Sequence, residues 1–235
     1  MTAAIQTIGN ELVSGDTPNT NASWLAKRLE SLGVRVVLIA TVPDELDRIV
    51  EVLQREGPRV DFLLVTGGLG GTPDDITREA VAAAFGVVQE VVPELAEDLR
   101  ERFKGAPEYA ARWAALPAGS RPLVNPLGGA PGLQLTNVWV LPGLPREMEA
   151  MFDHYAEEFR AERPIGVWRR RLATGESQIA GVLVEATGRW PGVAVGSYPS
   201  FEPGGPTVEV VLKSSDAAAL ADAASWIETA LAAIV

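Results

Sequence analysis

The chain has 235 residues, 47% of them hydrophobic, and carries a net charge of −11 with no cysteine and a single histidine, His154. This composition excludes disulfides, cysteine-based zinc sites, thiol catalysis and multi-histidine metal sites, and it gives no reason to expect haem. So acidic a surface repels phosphate backbones, which argues against general nucleic-acid binding. Any metal must be held by oxygen atoms, which favours a Mg²⁺-like ion.

The N-terminal segment and the hydropathy of the chain predict where the protein is found. Residues 1–5 contain no basic region and begin no long apolar stretch, so no signal peptide is expected. No run reaches the ~18 apolar residues of a membrane helix. We therefore expect a cytoplasmic protein with no membrane partner.

In chain order, strands and helices alternate three times over the first 85 residues. The apolar, β-branched runs predict parallel strands covered on both faces, and right-handed crossovers then give a three-layer α/β/α sandwich. The predicted strands are Ala3–Ile8, Val34–Val42 and Val60–Thr66, and the predicted helices are Thr20–Leu32, Leu46–Leu53 and Asp74–Phe85.

The next part of the chain continues this domain less clearly. We expect a helix over Pro93–Phe103, a strand over Asn137–Leu141 and a helix over Pro145–Phe159, with His154 on its surface. Residues 105–136 are rich in Gly and Pro and have little periodicity, so they receive no prediction. The first domain is placed at residues 1–163.

Residues 166–235 are predicted to form a separate small α+β domain with the order β-α-β-β-α. Its strands are expected at Val167–Leu172, Val193–Tyr198 and Thr207–Leu212, and Pro199–Pro206 is expected to form the loop of a hairpin. The helices are expected at Glu176–Ala186 and Ala217–Ile234.

The strongest local signal is a glycine loop, Gly67-Gly68-Leu69-Gly70-Gly71, between a strand and a helix. Glycines let backbone N–H groups approach an anion, and a helix N-terminus adds free donors and partial positive charge. Ligands of open α/β sheets bind beyond the carboxyl ends of the strands, where this loop must lie. The alternative is a tight turn without a ligand, but the strand–loop–helix context favours an anion site.

Two aspartates follow this loop, and a third follows the second strand. If Thr72 caps the helix and Pro73 is its first residue, Asp74 and Asp75 occupy the first turn and are stabilised by the helix dipole. Two carboxylates beside an anion site also suggest a metal-bridged phosphate or a catalytic carboxylate. Asp44 has the same helix-capping alternative, but the ends of neighbouring parallel strands converge, so Asp44 and Asp75 are expected to face one pocket.

Four separated motifs resemble those of the competence/damage-inducible protein A (CinA) family. They span most of residues 5–155, and residues 166–235 look like the small KH-like domain that follows in that family. The motifs are Gly9–Gly15 with Asn19–Leu25, Thr66–Thr77, Asn125–Gly132 and Leu141–Met148.

The resemblance implies a molybdopterin-binding type of fold and a set of site residues. It implies catalytic roles for Asp75 and Asp44, and a Mg²⁺-like ion on Asp75 and Asp74. Gly71 stands where the family usually has proline, which predicts a more flexible loop. Phosphate or ligand contacts are implied at Thr66, Gly67, Gly68, Leu69, Gly70, Thr72, Glu11, Gly15, Asn21, Pro142 and Gly143.

Three functions remain open from the sequence. The first is metal-dependent hydrolysis of ADP-ribose or a related nucleoside diphosphate, which the resemblance implies. The second is molybdopterin binding or adenylylation in molybdenum-cofactor biosynthesis, and the third is a non-catalytic binding module of the same fold. All three imply a small phosphorylated ligand, and we expect a homo-oligomer, either a dimer or a trimer. Activity on nicotinamide mononucleotide is not expected of these residues, because they include no room for the family's amidase domain.

Overall fold

The computed structural model describes residues 1–105, 107–232 and 234. The chain forms two compact units, Met1–Arg160 and a second unit that begins at Ala161. None of the described helices has the length and hydropathy that crossing a bilayer requires.

The first unit alternates strands and helices along the chain. Its strands are β1 Thr2–Ile8, β2 Arg35–Val42, β3 Phe62–Thr66, β4 Gln89–Val91, β5 Ala115–Pro117, β6 Arg121–Leu123, β7 Gly132–Leu135 and β8 Val138–Leu141. Its helices are α1 Asn10–Ser14, α2 Thr20–Ser31, α3 Leu46–Glu56, α4 Thr77–Phe85, α5 Pro93–Arg102, α6 Pro107–Ala114 and α7 Pro145–His154.

Six of these strands form one sheet in the order β2-β1-β3-β8-β7-β6. The strands β2, β1, β3 and β8 are parallel, whereas β7 and β6 add an antiparallel edge. The predicted mostly parallel sheet is confirmed. The central position of β3 places the loop that follows it in the middle of the carboxyl edge.

Two separate apolar cores cover the two faces of this sheet, which gives three layers. One core joins the sheet to helices α3, α4, α5 and α6, with Ile49 and Leu99 completely buried. The other joins it to α2 and α7 and contains Leu29 and Phe152. The predicted α/β/α sandwich therefore follows from helices that bury apolar stripes on opposite faces.

Strand β2 differs from the prediction because it lies at the edge of the sheet. Exposed and partly buried residues alternate along it, and Val37 and Ile39 are 47% and 46% exposed. The apolar run Val34–Val42 predicted burial on both faces. The structure covers only one face of this strand, so that part of the prediction is wrong.

The segment 105–136 that received no prediction contains α6 and three short strands, apart from Ala106, which lies outside the described residues. Strands of three or four residues are too short to show a reliable period.

The predicted helix Pro145–Phe159 is divided: α7 ends at His154, which is exposed as predicted, and Ala156–Phe159 forms a 3₁₀ turn. This turn stacks Phe159 on Phe152, with ring centroids 4.9 Å apart.

The second unit has the predicted β-α-β-β-α order. It contains a three-stranded antiparallel sheet with β10 and β9 on either side of β11. Its elements are β9 Gly166–Leu172, α8 Glu176–Arg189, β10 Ala194–Glu202, β11 Gly205–Ser214 and α9 Ala217–Ala232. Ala233 and Val235, which the predicted last helix or domain included, lie outside the described residues.

The predicted hairpin loop Pro199–Pro206 is wrong in extent. Strand pairing continues to Glu202 opposite Gly205, so only Pro203 and Gly204 join the strands. Pro199 is accommodated because β10 is an edge strand, where proline is tolerated. Prolines predict a loop unless the strand is known to lie at an edge, and the local sequence does not reveal strand order.

Candidate functional site

The glycine loop leaves β3 through two residues that must be glycine. Gly67 and Gly68 have φ values of 111° and 63°, in the left-handed region that disfavours residues with a side chain. A Cβ atom on Gly67 would lie 2.2 Å from the carbonyl oxygen of Ile8 at the end of β1. The loop therefore passes directly over the carboxyl edge of the sheet.

The residues after the glycines form a turn and not the first turn of a helix. Helix α4 begins at Thr77, and its N-terminal cap is Ile76. The Asp75 carboxylate accepts hydrogen bonds from Thr72 N at 2.8 Å and Thr72 Oγ1 at 2.6 Å. The prediction that Thr72 caps the helix and that Asp74 and Asp75 lie in its first turn is wrong, because this local side-chain bonding competes successfully with the helix.

The glycine loop presents unused backbone donors. Thr77 donates to the loop from the helix side, with its hydroxyl bonded to Gly67 O at 2.8 Å and its N–H to Gly68 O at 3.2 Å. Within the described residues, the N–H groups of Gly68, Leu69 and Gly70 have no hydrogen-bond acceptor. Successive free N–H groups form a binding place for an anion.

A pocket of about 430 Å³ opens beside this loop. Four loops line it, and each follows a strand of the parallel part of the sheet: β1, β2, β3 or β8. Of the site residues expected from the sequence, those that line it are Glu11, Asn21, Asp44, Thr66, Gly67, Gly68, Leu69, Gly70, Asp74, Asp75 and Gly143.

Three expected ligand contacts lie outside this pocket lining. Thr72 holds Asp75, as described above. Gly15 ends α1 in the left-handed conformation with φ 82°. Pro142 supplies a carbonyl oxygen to the Thr66 hydroxyl at 2.7 Å.

A hydrogen-bond network joins the loops after β1, β3 and β8. The Asn21 amide donates to Thr66 Oγ1 at 3.1 Å and to Gly143 O at 2.8 Å, and its own buried oxygen has no partner among the described residues. Gly143 packs so closely on Gly67 that a Cβ on Gly143 would lie 3.3 Å from the Cα of Gly67.

Asn19, which the site prediction missed, caps α2 by accepting from Ala22 N at 3.1 Å. Its place just before a helix is the signal that identifies such a cap.

Asp44 is held at the same end of the sheet by the loop that follows β1. Its carboxylate accepts from the N–H of Asn10 at 2.9 Å, so the alternative that it caps α3 is wrong. Burial raises the pKa of Asp44; the Asn10 bond opposes this shift, and the carboxylates of Glu11, Asp74 and Asp75 reinforce it. The electrostatic coupling to both aspartates reflects their shared pocket.

The pocket is acidic in its side chains. Among the described lining residues, four are carboxylates and none is Lys, Arg or His. The pKa of Asp74 is lowered, mainly by the Thr72 hydroxyl and also by its own backbone N–H and Arg112. The donors that this lining offers to an anion are therefore uncharged: backbone N–H groups and the hydroxyl and amide groups of its neutral polar residues.

The described residues contain no group of three or more His, Cys, Asp or Glu side chains arranged to hold a metal ion. This does not conflict with Mg²⁺, which commonly binds through one or two carboxylates together with substrate phosphates. Asp75 and Asp44 each line the pocket with a carboxylate already held by an N–H donor. The donor set fits a cation that arrives with a phosphorylated ligand.

The chain is similar in sequence to two known domain families and to CinA-like proteins. Residues 4–161 match the family described as "Probable molybdopterin binding domain", and residues 170–235 match "FAD synthase, middle domain". A CinA-like protein of Frankia casuarinae is 34% identical, covering 98% of this chain and 58% of that protein. The crystal structure of CinA from Thermoplasma acidophilum, described as of unknown function, is 32% identical and covers 67% of this chain and 97% of its own, with a TM-score of 0.63.

Proposed function

This chain belongs to the CinA family and contains a domain of the molybdopterin-binding type over residues 4–161, and from that starting point we propose that it hydrolyses the pyrophosphate bond of ADP-ribose or a related nucleoside diphosphate. The proposal rests on one observation: the free N–H groups of the glycine loop and several carboxylates line the same pocket. Asp75 lies against the loop itself, because a Cβ on Gly70 would lie 2.4 Å from its Oδ2 atom.

The N–H groups of Gly68, Leu69 and Gly70 would hold one phosphate of the ligand. These donors are fixed before the ligand binds, so they stabilise charge without reorganisation. The glycines allow the close backbone approach that this binding requires. The other phosphate would then lie towards Asp75 and Asp44.

The two aspartates would orient water and receive its proton. Thr72 fixes the Asp75 carboxylate through two hydrogen bonds, and Asn10 fixes that of Asp44. Asp75, together with Asp74 or Asp44, would hold a Mg²⁺-like ion, which would neutralise phosphate charge and make a bound water more acidic.

The reaction balances with water as the only co-substrate. Water attacks one phosphorus, and the bond from that phosphorus to the bridging oxygen breaks. The proton lost by the water passes to a carboxylate, for which Asp44 is suited because burial raises its pKa. For ADP-ribose the products are AMP and ribose 5-phosphate.

A second candidate is molybdopterin binding or adenylyl transfer, which the description of the matched family favours. It uses the same loop for a pterin phosphate. A third candidate, a binding module without catalysis, predicts that the loop still holds phosphate but that no product forms.

The deciding experiment compares two ligand sets with the purified chain. ADP-ribose is incubated with Mg²⁺ or with a chelator, and AMP is quantified; in parallel, a molybdopterin is tested for binding with and without ATP. Metal-dependent AMP formation supports the proposal. Pterin binding without AMP formation would replace it with the second candidate, and ADP-ribose binding without turnover would replace it with the third.

A further inference from the structure

Arg78, the second residue of α4, is buried without an ion-pair partner in the part of the chain that the structure describes. Its side chain has no exposed surface, and its two terminal nitrogens donate to Leu69 O and Gly70 O, both at 2.9 Å. Among the described residues no carboxylate lies within ion-pair distance of it, and its Nε has no acceptor. Charged side chains are almost never fully buried unless they are paired, so this position indicates a role that requires the charge.

Helix α6 binds the same loop from another direction. The indole N–H of Trp113 donates to Gly70 O at 3.1 Å, and Arg112 donates to Gly71 O at 3.3 Å and to Asp75 O at 2.7 Å. Gly71 also lies against the ring of Tyr109, which a Cβ would approach to 2.1 Å. The flexibility predicted from glycine at this position is therefore opposed by three side chains of one helix.

These bonds together occupy the whole carbonyl side of the loop. Thr77 binds the first two carbonyl groups, Arg78 the next two and Arg112 the fifth, so each carbonyl of residues 67–71 accepts a hydrogen bond. Within a trans peptide the C=O and the following N–H point in opposite directions. Because the carbonyl groups are bonded to side chains and one N–H group of α4 and α6, the N–H groups of residues 68–71 point away from these two helices.

We propose that Arg78, supported by Arg112 and Trp113, is the positioning residue that sets the peptide orientation of this loop for phosphate binding. The identity of the anion rests on the proposed function, whereas the orientation of the peptides does not. The arrangement also places a positive charge directly behind the loop. A buried charge is poorly screened by solvent, so it favours an anion in a pocket whose own charged side chains are carboxylates.

The test uses full-length variants and a control at a different glycine loop. Arg78→Gln removes the charge, Arg78→Lys keeps it without the two-pronged geometry, and Trp113→Phe removes one hydrogen bond while keeping an aromatic ring. Arg102→Gln is the matched control, because Arg102 also donates to glycine carbonyls, those of Gly128 and Gly129. Folding of each variant is checked by its melting temperature.

Two measurements are made on each protein. The first is the ¹⁵N heteronuclear NOE of the amides of residues 68–71, which reports local order. The second is calorimetric affinity for inorganic pyrophosphate in the presence of Mg²⁺. We expect lower NOE values in Arg78→Gln and Trp113→Phe, and an affinity loss of at least about tenfold in Arg78→Gln, of the order expected for lost charge-assisted bonds. Arg78→Lys should retain more affinity than Arg78→Gln, and Arg102→Gln should match the wild type.

The outcomes separate this inference from the proposed function. Unchanged NOE values in both Arg78→Gln and Trp113→Phe overturn it whatever the ligand data show. Disordered amides with unchanged pyrophosphate affinity overturn it as well, since the orientation would then not serve binding. A wild type that does not bind pyrophosphate refutes the proposed function, while the NOE comparison still decides whether Arg78 orders the loop.

Discussion

The substitution Asp75→Asn separates a structural from a catalytic role for this carboxylate. In the structure Asp75 precedes α4 and holds Thr72 through two hydrogen bonds to one oxygen. Asparagine retains an acceptor oxygen, so only the charge contribution to each bond is lost. Hydrogen bonds to charged groups contribute about 1 kcal/mol more than neutral ones, and partial exposure reduces this difference.

We therefore expect Asp75→Asn to cost about 1 kcal/mol of unfolding free energy, a melting-temperature decrease of about 2–4 °C for a domain of this size. Turnover of ADP-ribose with Mg²⁺ should fall much further, by about 10²–10⁴-fold, as for the loss of a group that acts on the reacting water or its metal. Without metal, ADP-ribose should bind as well as in the wild type or tighter, because a negative charge beside the phosphate is gone.

The assay quantifies AMP from ADP-ribose with and without Mg²⁺, with melting temperatures recorded in parallel. Asp47→Asn is the control, because Asp47 is an exposed aspartate that does lie in the first turn of a helix, α3. It should leave turnover unchanged. If the wild type is active and Asp75→Asn retains near-normal rates, the catalytic assignment of Asp75 is wrong.

Three further predictions follow from the site and the fold. Asp44→Asn should lower turnover less than Asp75→Asn does, and should raise stability at pH 7 by less than about 1 kcal/mol. The pKa of Asp44 in the folded state lies above its ordinary value of 3.8, so ionisation of Asp44 costs stability as pH rises through that range. A stability gain that persists at about pH 3 would contradict this reasoning. Gly67→Ala should destabilise the protein by about 1–3 kcal/mol from its φ alone. Gly57→Ala, with no atom of the described residues within 4 Å of the added Cβ, should be nearly neutral in chemical denaturation. Light scattering should give a molar mass two or three times that of one chain, and a monomer would refute the expected homo-oligomer.

The local patterns of the sequence were sufficient to predict most of the fold. Apolar runs of six to nine residues identify β1, β2 and β3, and the spacing of Leu25 and Leu29 identifies α2. These signals are strong because each element buries one apolar face or run within a short stretch of chain. The glycine loop was predictable for the same reason, since a strand, a glycine cluster and a helix follow each other within a short stretch of chain.

Other features depended on neighbours that the local sequence does not reveal. The start of α4 was predicted too early because Thr72-Pro73-Asp74-Asp75 satisfies every rule for a helix start, and only the bond between Asp75 and Thr72 shows the competing turn. The exposure of Val37 and Ile39 follows from the place of β2 at the sheet edge, which is a property of strand order and not of composition.

The candidate site shows the same division between local and tertiary information. The sequence determined which residue types follow each strand, and so which carboxylates and glycines were available to a pocket. Only the tertiary structure decided that Asp44 is held by Asn10, 34 residues away, and that Trp113 holds Gly70, 43 residues away. Contacts over such separations depend on strand order and helix packing, because the packing of the whole core, and not a local sequence pattern, brings the two residues together.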